Sequence, residues 1–186
     1  SVVHWLMKDQ GWTFKDGPGV IPDPIHDADY LREVYLAAEP EMTGRVTVPV
    51  LWDKKRETIV SNESAEIIRM FNSAFDEVGA AKGDYYPESL RAEIDQVNSR
   101  VYDDINNGVY KAGFATGQDA YEEAVTTLFD ALDWLEDRLS DGRPYLMGEA
   151  LTEADWRLYT TLVRFDPVYH GHFKCNLKRL TEYENL

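Results

Sequence analysis

Cysteine is nearly absent from the sequence: Cys175 is the single thiol among 186 residues. One cysteine cannot form a disulfide within the chain, which excludes a disulfide framework and favours a reducing compartment. No apolar run approaches the roughly 20 residues of a membrane span. The first eight residues also lack the basic start and long apolar stretch of a signal peptide. We therefore expect a cytoplasmic protein.

Positive charge is also scarce, with 19 Lys and Arg against 34 Asp and Glu, for a net charge of −15. A nucleic-acid partner or an anionic membrane surface would require clustered basic residues, so neither is expected. Residues 1–75 carry a net charge of −4 and residues 76–186 a net charge of −11. A solvated acidic helical surface explains the excess of acidic residues in the second part most simply. The 5 Trp, 11 Tyr and 7 Phe indicate a packed core rather than disorder.

The hydrophobic pattern changes near residue 75. Before residue 62 it is strand-like, starting with the first residues, and it predicts a β-hairpin from strands 45–52 and 58–60 joined by the charged turn 53–57. Pro49 would delete a ladder donor from the first strand, which confines that strand to an edge or to a cis peptide. After the hairpin, a helix is predicted to start at or just after Ser61, because apolar residues follow at helical spacing.

The pattern after residue 75 is helical almost throughout. Pro87 opens one predicted helix, which Gly108 stops, and a second is predicted from about 119 to 139. A third begins at Thr152, where Asp155 can reach back to complete a capping box. We therefore expect an α/β domain over residues 1–75 followed by an all-helical domain over residues 76–186.

Two short motifs resemble the glutathione site of the glutathione-transferase superfamily: Val48-Pro49, and Glu63-Ser64 at a helix start. In that site the residue before a cis-proline pairs with glutathione through its backbone, and an acid-hydroxyl pair holds the γ-glutamyl end. Unpaired N–H groups and a partial positive charge at a helix start also suit a carboxylate ligand. Longer strings are similar to those of glutathionyl-hydroquinone reductases, the Xi class of glutathione transferases. They lie in the family's order at 11–14, 44–53, 59–64, 106–115 and 163–169.

The resemblance implies a thioredoxin-like domain that lacks its first strand and helix, then a helical transferase domain that is also partial, with the active site between them. It implies a homodimer, glutathione as co-substrate and no metal. The implied reaction reduces glutathionyl-hydroquinones through a mixed disulfide on a cysteine upstream of Ser1. A non-catalytic glutathione-binding module and a conventional conjugating transferase are the alternatives.

The resemblance also implies roles for individual residues. Tyr110 and Tyr169 match the catalytic tyrosines of the second substrate pocket, whose hydroxyls bind the hydroquinone oxygens and help to protonate the ring. The positions that match the glutathione site are Trp12, Arg45, Val48, Glu63 and Ser64.

Each of these residues also has a structural interpretation. Trp12 can be a core aromatic and Arg45 an ordinary surface cation. Tyr110 follows a turn-like Asn-Asn-Gly segment, and Tyr169 lies just past a helix that Pro167 is predicted to stop.

Two other features invite a chemical interpretation that we reject. Cys175 lies late in the helical part, far from the position of the family's nucleophile, so we predict a structural cysteine. His170 and His172 lack the acid or cysteine neighbours of a metal site, so we expect ordinary polar residues there.

Overall fold

The structure, a computed structural model, describes residues 1–186 as two compact units, Ser1–Phe71 and Asn72–Leu186. No helix combines the length and the apolar character that a membrane span requires.

Unit 1 has a small core formed mainly by helix α1 (Leu31–Ala38), which the sequence analysis did not predict. Leu31, Val34 and Tyr35 lie on one face of α1 and are buried. The backbone N–H of Leu31 donates to the carbonyl of Trp12 at 2.9 Å, so the chain before the helix supplies a partner for its first turn. The remaining elements are β1 (Leu51–Asp53), β2 (Thr58–Ser61) and α2 (Ser64–Ser73).

The predicted hairpin is present, and β2 confirms the second predicted strand. β1 pairs with it antiparallel, and the Asp53 side chain accepts hydrogen bonds from the backbone N–H groups of Lys55 and Arg56 in the turn. The prediction of strand at residues 45–50 is wrong. Pro49 follows a cis peptide bond and has no N–H to donate, and both backbone polar groups of Thr47 contact the Tyr35 hydroxyl rather than a ladder. Strand is also absent at the start of the chain, where Val2 makes an isolated bridge with Ile21.

Unit 2 is helical and contains the larger core, in which Ile94, Leu132 and Phe165 are fully buried. Its α-helices are α3 (Arg91–Arg100), α4 (Gly108–Phe114), α5 (Gln118–Leu139), α6 (Glu153–Arg164) and α7 (His170–His172). Two π-helical turns interrupt this pattern, at Val101–Asn106 between α3 and α4 and at Phe165–Tyr169 between α6 and α7. Short 3₁₀ turns occur at Asp76–Val78, Glu88–Leu90 and Leu180–Glu182.

Gly108 does not stop a helix, contrary to the prediction. A glycine that ends a helix adopts a positive φ, and Gly108 is not among the residues that do so. Helical hydrogen bonding instead continues through the first π turn, where the N–H of Asn107 donates to the carbonyl of Tyr102 at 2.9 Å. Tyr110 therefore lies on helix α4 and not in a turn, which corrects the structural interpretation given above.

Pro167 does not stop a helix either. It lies inside the second π turn, where its missing N–H removes one helical hydrogen bond. The wider turn continues past it, because the N–H of His170 donates to the carbonyl of Phe165. Tyr169 is the last residue of this turn and is held within the helical backbone.

Two helix predictions in unit 2 are confirmed. Helix α5 begins and ends within one residue of its predicted bounds, and the leucines predicted to face inward are buried. The capping box of α6 is also present: the Asp155 carboxylate accepts hydrogen bonds from the N–H and the hydroxyl of Thr152, at 2.8 and 3.0 Å. A third bond reaches it from the N–H of Leu146 at 2.8 Å, so Asp155 also anchors the preceding loop.

Candidate functional site

Two of the motifs predicted to bind glutathione are exposed in unit 1. Val48, with 46% of its surface exposed, precedes the cis peptide bond to Pro49 and lines a cavity of about 340 Å³. Glu63 and Ser64 are exposed at the start of α2, where the carbonyl of Glu63 accepts the N–H groups of Glu66 and Ile67. The N–H of Glu63 donates to the Ser61 hydroxyl at 3.0 Å, so the turn before the helix is closed.

The hydroxyl of Tyr35 connects the segments that carry these two motifs. It donates to the carbonyl of Thr47 at 2.9 Å and accepts from the side-chain amide of Asn62 at 3.1 Å. That amide also donates to the Thr47 hydroxyl at 3.2 Å. Thr47 is adjacent to Val48 and Asn62 is adjacent to Glu63. The sequence analysis missed this connection, because Tyr35 lies in a helix that was not predicted and is 27 residues from Asn62.

Trp12 and Arg45 are not connected to this network by hydrogen bonds or ion pairs. Trp12 is half-buried against the core of unit 1, and its carbonyl anchors the start of α1. Arg45 is exposed. Their predicted contacts with glutathione remain predictions.

In unit 2 the structure brings the two predicted catalytic tyrosines together. The hydroxyl oxygens of Tyr110 and Tyr169 are 3.2 Å apart, within hydrogen-bonding distance, although the residues are 59 positions apart in sequence. Their rings meet edge to face, with centroids 5.8 Å apart. Tyr169 is buried, with 5% of its surface exposed, whereas 44% of Tyr110 is exposed. The pair therefore has one hydroxyl held in the core and one ring that faces solvent.

The electrostatic environment keeps the buried phenol protonated. Burial, followed by the hydrogen bond with Tyr110, raises the pKa of Tyr169 to about 12. A phenol with this pKa is neutral at physiological pH and can donate its proton to an oxygen or a carbon. The arrangement is therefore suited to hydrogen bonding and proton donation.

A side-chain bridge connects the two segments that precede the tyrosines, the first π turn and helix α6. The amide of Asn106, in the first π turn, donates to the Thr161 hydroxyl at 2.6 Å and to the carbonyl of Arg157 at 3.3 Å. Thr161 is buried in α6, and this helix directly precedes the π turn that ends at Tyr169. Sequence reasoning assigned a role to neither Asn106 nor Thr161. π turns, which often occur at functional sites, leave no simple periodicity to detect.

Two phenylalanines complete an aromatic cluster around the tyrosine pair. The Phe173 ring lies 5.4 Å, between centroids, from the rings of Tyr110, Phe114 and Tyr169, edge to face in each case. Phe114 stacks near Tyr110 at 6.1 Å and exposes 71% of its surface. The sequence analysis assigned a role to neither residue. The spacing of Tyr110 and Phe114, four residues apart on one helix, is the signal that could have indicated part of this cluster.

Replacing Gly113 by alanine is expected to displace Phe173 and to lower the free energy of unfolding. A Cβ at Gly113 would lie 1.7 Å from Cδ1 and 2.8 Å from Cβ of Phe173, so the whole side chain has to move. An approach this close places the cost of overpacking at the upper end of its range, about 2–3 kcal/mol, of which the helix propensity of alanine offsets about 1. We expect a net loss of about 1–2 kcal/mol in urea unfolding of the full-length protein.

Gly171→Ala is the matched control, because a Cβ at this helical glycine would meet no atom within 4 Å. We expect this variant to be as stable as the wild type or slightly more so. Equal stability of the two alanine variants would contradict the close packing of Phe173 on Gly113.

A cavity of about 540 Å³ beside the cluster is a poor candidate for glutathione. Tyr110 and Phe114 line it, and so do one cation, Lys111, and three acids, Asp103, Asp104 and Glu123. Three acids against one cation disfavour an anionic ligand such as glutathione. We therefore do not assign this cavity to the site.

Cys175 has the properties of a structural residue. It is fully buried, and burial raises the pKa of its thiol to about 12. A thiol of this pKa is protonated at physiological pH and is a poor nucleophile. No group of three or more His, Cys, Asp or Glu side chains in residues 1–186 is arranged to hold a metal ion.

Comparisons with known proteins agree on one family. The family model of the glutathione S-transferase C-terminal domain matches residues 118–186. Glutathionyl-hydroquinone reductase PcpF of Sphingobium chlorophenolicum is 61% identical over 186 residues, which are 100% of this chain and 59% of PcpF. The chain thus spans less than two thirds of the length of this relative.

Two solved structures are similar in fold and in sequence. The glutathione-bound structure of YqjG, a glutathione transferase homolog from Escherichia coli K-12, has a TM-score of 0.96 and 59% identity, and the match covers 100% of this chain and 60% of that one. The Xi glutathione transferase ECM4 of Saccharomyces cerevisiae, in complex with glutathione, has a TM-score of 0.91 and 38% identity, over 97% of this chain and 68% of that one. This chain belongs to the Xi-class glutathione transferases.

Proposed function

We propose that the protein containing this chain reduces glutathionyl-hydroquinones to hydroquinones at the expense of glutathione. The observation that carries the proposal is the Tyr110–Tyr169 hydroxyl pair, 3.2 Å apart within an aromatic cluster. Aromatic rings offer edge and face contacts to a quinol ring, and paired phenols can hydrogen-bond to its oxygens. The name of PcpF, glutathionyl-hydroquinone reductase, supports the same reaction.

The proposed chemistry has two sulfur-transfer steps. A cysteine thiolate attacks the sulfur of the glutathionyl-hydroquinone, so that an S–S bond forms and the bond between sulfur and the ring carbon breaks. The ring carbon takes the electron pair and a proton, which leaves the hydroquinone and a mixed disulfide. A second glutathione thiolate then attacks the mixed disulfide, which releases oxidised glutathione and restores the cysteine thiolate.

The residues of this chain serve binding and proton transfer in this scheme. We propose that Tyr169 donates the proton to the ring carbon and that Tyr110 binds a quinol oxygen. Because Cys175 is buried and its pKa is raised to about 12, the attacking thiolate would come from a cysteine outside residues 1–186. The residues that we propose for glutathione binding are Trp12, Arg45, Val48, Glu63 and Ser64.

The reaction is tested with the full-length protein, reduced glutathione and a synthetic glutathionyl-hydroquinone. We expect stoichiometric formation of hydroquinone and oxidised glutathione, measured by liquid chromatography. Without reduced glutathione, we expect at most one equivalent of hydroquinone per enzyme. A parallel assay with an electrophilic chloroarene measures conjugation.

The outcomes separate the proposed reductase from the other two functions considered. Quinol release that is faster than arene conjugation supports the proposal. Conjugation without quinol release would show a conventional transferase instead, and glutathione binding without either reaction would show a binding module.

We also propose a cytoplasmic location and a homodimer. The single cysteine in 186 residues agrees with a reducing compartment, and resemblance to the family supports the dimer. Sedimentation equilibrium of the full-length protein gives its mass in solution, and a monomer mass at micromolar concentration would refute the dimer.

A further inference from the structure

We propose that Tyr35 is a positioning residue for glutathione, because its hydroxyl fixes the two segments that present Val48 and Glu63 to the ligand. This inference rests on the proposed function, in which Val48 and Glu63 bind glutathione. It assigns a role to a residue that lies in neither motif.

The hydroxyl lies at the centre of a small network. It donates to the carbonyl of Thr47 at 2.9 Å, and it accepts from the amide of Asn62 at 3.1 Å and from the N–H of Thr47 at 3.4 Å. The amide of Asn62 also bonds to the Thr47 hydroxyl at 3.2 Å, so the two segments are bonded to each other as well as to Tyr35. A displacement of either segment would break bonds to the other.

The ring of Tyr35 gives this network a fixed base. Only 4% of its surface is exposed, and it packs in the core of unit 1 together with Leu31 and Val34. A helical residue held on one face by core packing has few alternative rotamers. The hydroxyl is therefore held in place by the core, and the exposed segments are held by the hydroxyl.

The segments themselves have little regular structure to position them. Residues 45–50 form no strand, and Glu63 lies between the end of β2 and the start of α2. A ladder cannot hold the backbone at Pro49, which lacks an N–H. The Tyr35 hydroxyl thus supplies long-range hydrogen bonds that a ladder would otherwise supply.

The test is the affinity of full-length Tyr35→Phe for reduced glutathione, measured by isothermal titration calorimetry. The variant keeps the ring and removes only the hydroxyl. We expect Kd to rise about three- to tenfold, the range that corresponds to the loss of one net hydrogen bond. We also expect Tm to fall by about 2–4 °C, because the buried ring loses its polar partners.

Tyr183→Phe is the matched control for stability. Tyr183 is also a buried tyrosine, and its hydroxyl donates to the Asp133 carboxylate at 3.0 Å within unit 2. We expect the Tm of this variant to fall by a similar amount and its Kd to equal that of the wild type. An unchanged Kd in Tyr35→Phe, or an equal rise in both variants, would overturn the inference. A wild-type protein that does not bind glutathione would refute the proposed function, and the inference with it.

A double-mutant cycle with Asn62→Ala tests the connection itself. Because both substitutions break the bond between Tyr35 and Asn62, the rise in Kd of the double variant is expected to be smaller than the product of the two single rises. Kd ratios that multiply would overturn the inference, since they would mean that Tyr35 and Asn62 act independently. If Tyr35→Phe fails to fold, Asn62→Ala alone still tests whether the network affects Kd, because Asn62 is only partly buried.

Discussion

Replacement of Tyr169 by phenylalanine is expected to lower kcat for quinol release about 10²- to 10⁴-fold, the range that a positioned proton donor contributes. The substitution keeps the ring and its contact with Phe173, and it removes the hydroxyl that lies 3.2 Å from that of Tyr110. The KM for glutathione is expected to change little, because other residues are proposed to bind it. Steady-state kinetics with the glutathionyl-hydroquinone measure both parameters.

The pH dependence of the wild type gives a second measurement on the same group. A donor acts only in its protonated form, so its contribution is lost as pH rises through its pKa. Burial and the hydrogen bond with Tyr110 raise the pKa of Tyr169 to about 12, above the ordinary tyrosine value of 10.0. The contribution of Tyr169 to kcat is therefore expected to be constant from pH 6 to about pH 10.

Tyr183→Phe is again the control, because it removes a buried hydroxyl elsewhere in unit 2. Its kcat is expected to equal that of the wild type. A Tyr169→Phe variant with wild-type kcat would exclude Tyr169 as the proton donor, and Tyr110→Phe would then be the variant to assay for this role.

Local sequence patterns predicted the helical half well where one helix buries a regular stripe. The leucines of α5 recur at helical spacing and are buried, and the Thr152–Asp155 pair forms the capping box that its spacing indicates. The two errors in this half, at Gly108 and Pro167, share one cause. Both residues usually end helices, but Gly108 begins the helix that follows one π turn and Pro167 lies inside the other. π turns keep the backbone helical without a period that a sequence pattern reveals.

The strand-like half was harder to predict, because its elements are short and tertiary contacts hold them. The hydrophobic pattern of segment 45–50 alternates like that of a strand. However, the carbonyl and the N–H of Thr47 bond to the Tyr35 hydroxyl, and Pro49 has no N–H to donate. Helix α1 has eight residues and follows a loop rich in aspartate and proline, so its short apolar stripe is easily overlooked.

The candidate site shows the same division. Resemblance selected Tyr110 and Tyr169, and the fold then placed their hydroxyls together across 59 residues of sequence. Nothing local indicates that Phe173 joins this pair, because the contact depends on Gly113 leaving room for its ring. Resemblance can therefore name residues that act on the ligand, whereas the residues that hold them in place become visible only in the structure.

Replacement of Asp155 by alanine is expected to lower the free energy of unfolding by about 2–4 kcal/mol, the loss of a helix cap together with an unpaired buried donor. The carboxylate accepts hydrogen bonds from Thr152 and from the N–H of Leu146. Thr152 is fully buried, and only 2% of the surface of Leu146 is exposed. Without Asp155, the start of α6 and the preceding loop both lose a partner that water cannot easily replace. Urea unfolding of the full-length protein, followed by circular dichroism, measures the change.

Glu149→Ala is the matched control, since Glu149 is an exposed acid in the same loop. Its effect is expected to stay within about 0.5 kcal/mol, as is usual for a surface substitution. Asp155→Asn should fall between the two, because an amide oxygen can accept some of the three hydrogen bonds that the carboxylate accepts. If Asp155→Ala matched Glu149→Ala, the capping box would contribute nothing to stability, and α6 would depend on the packing of its buried face alone.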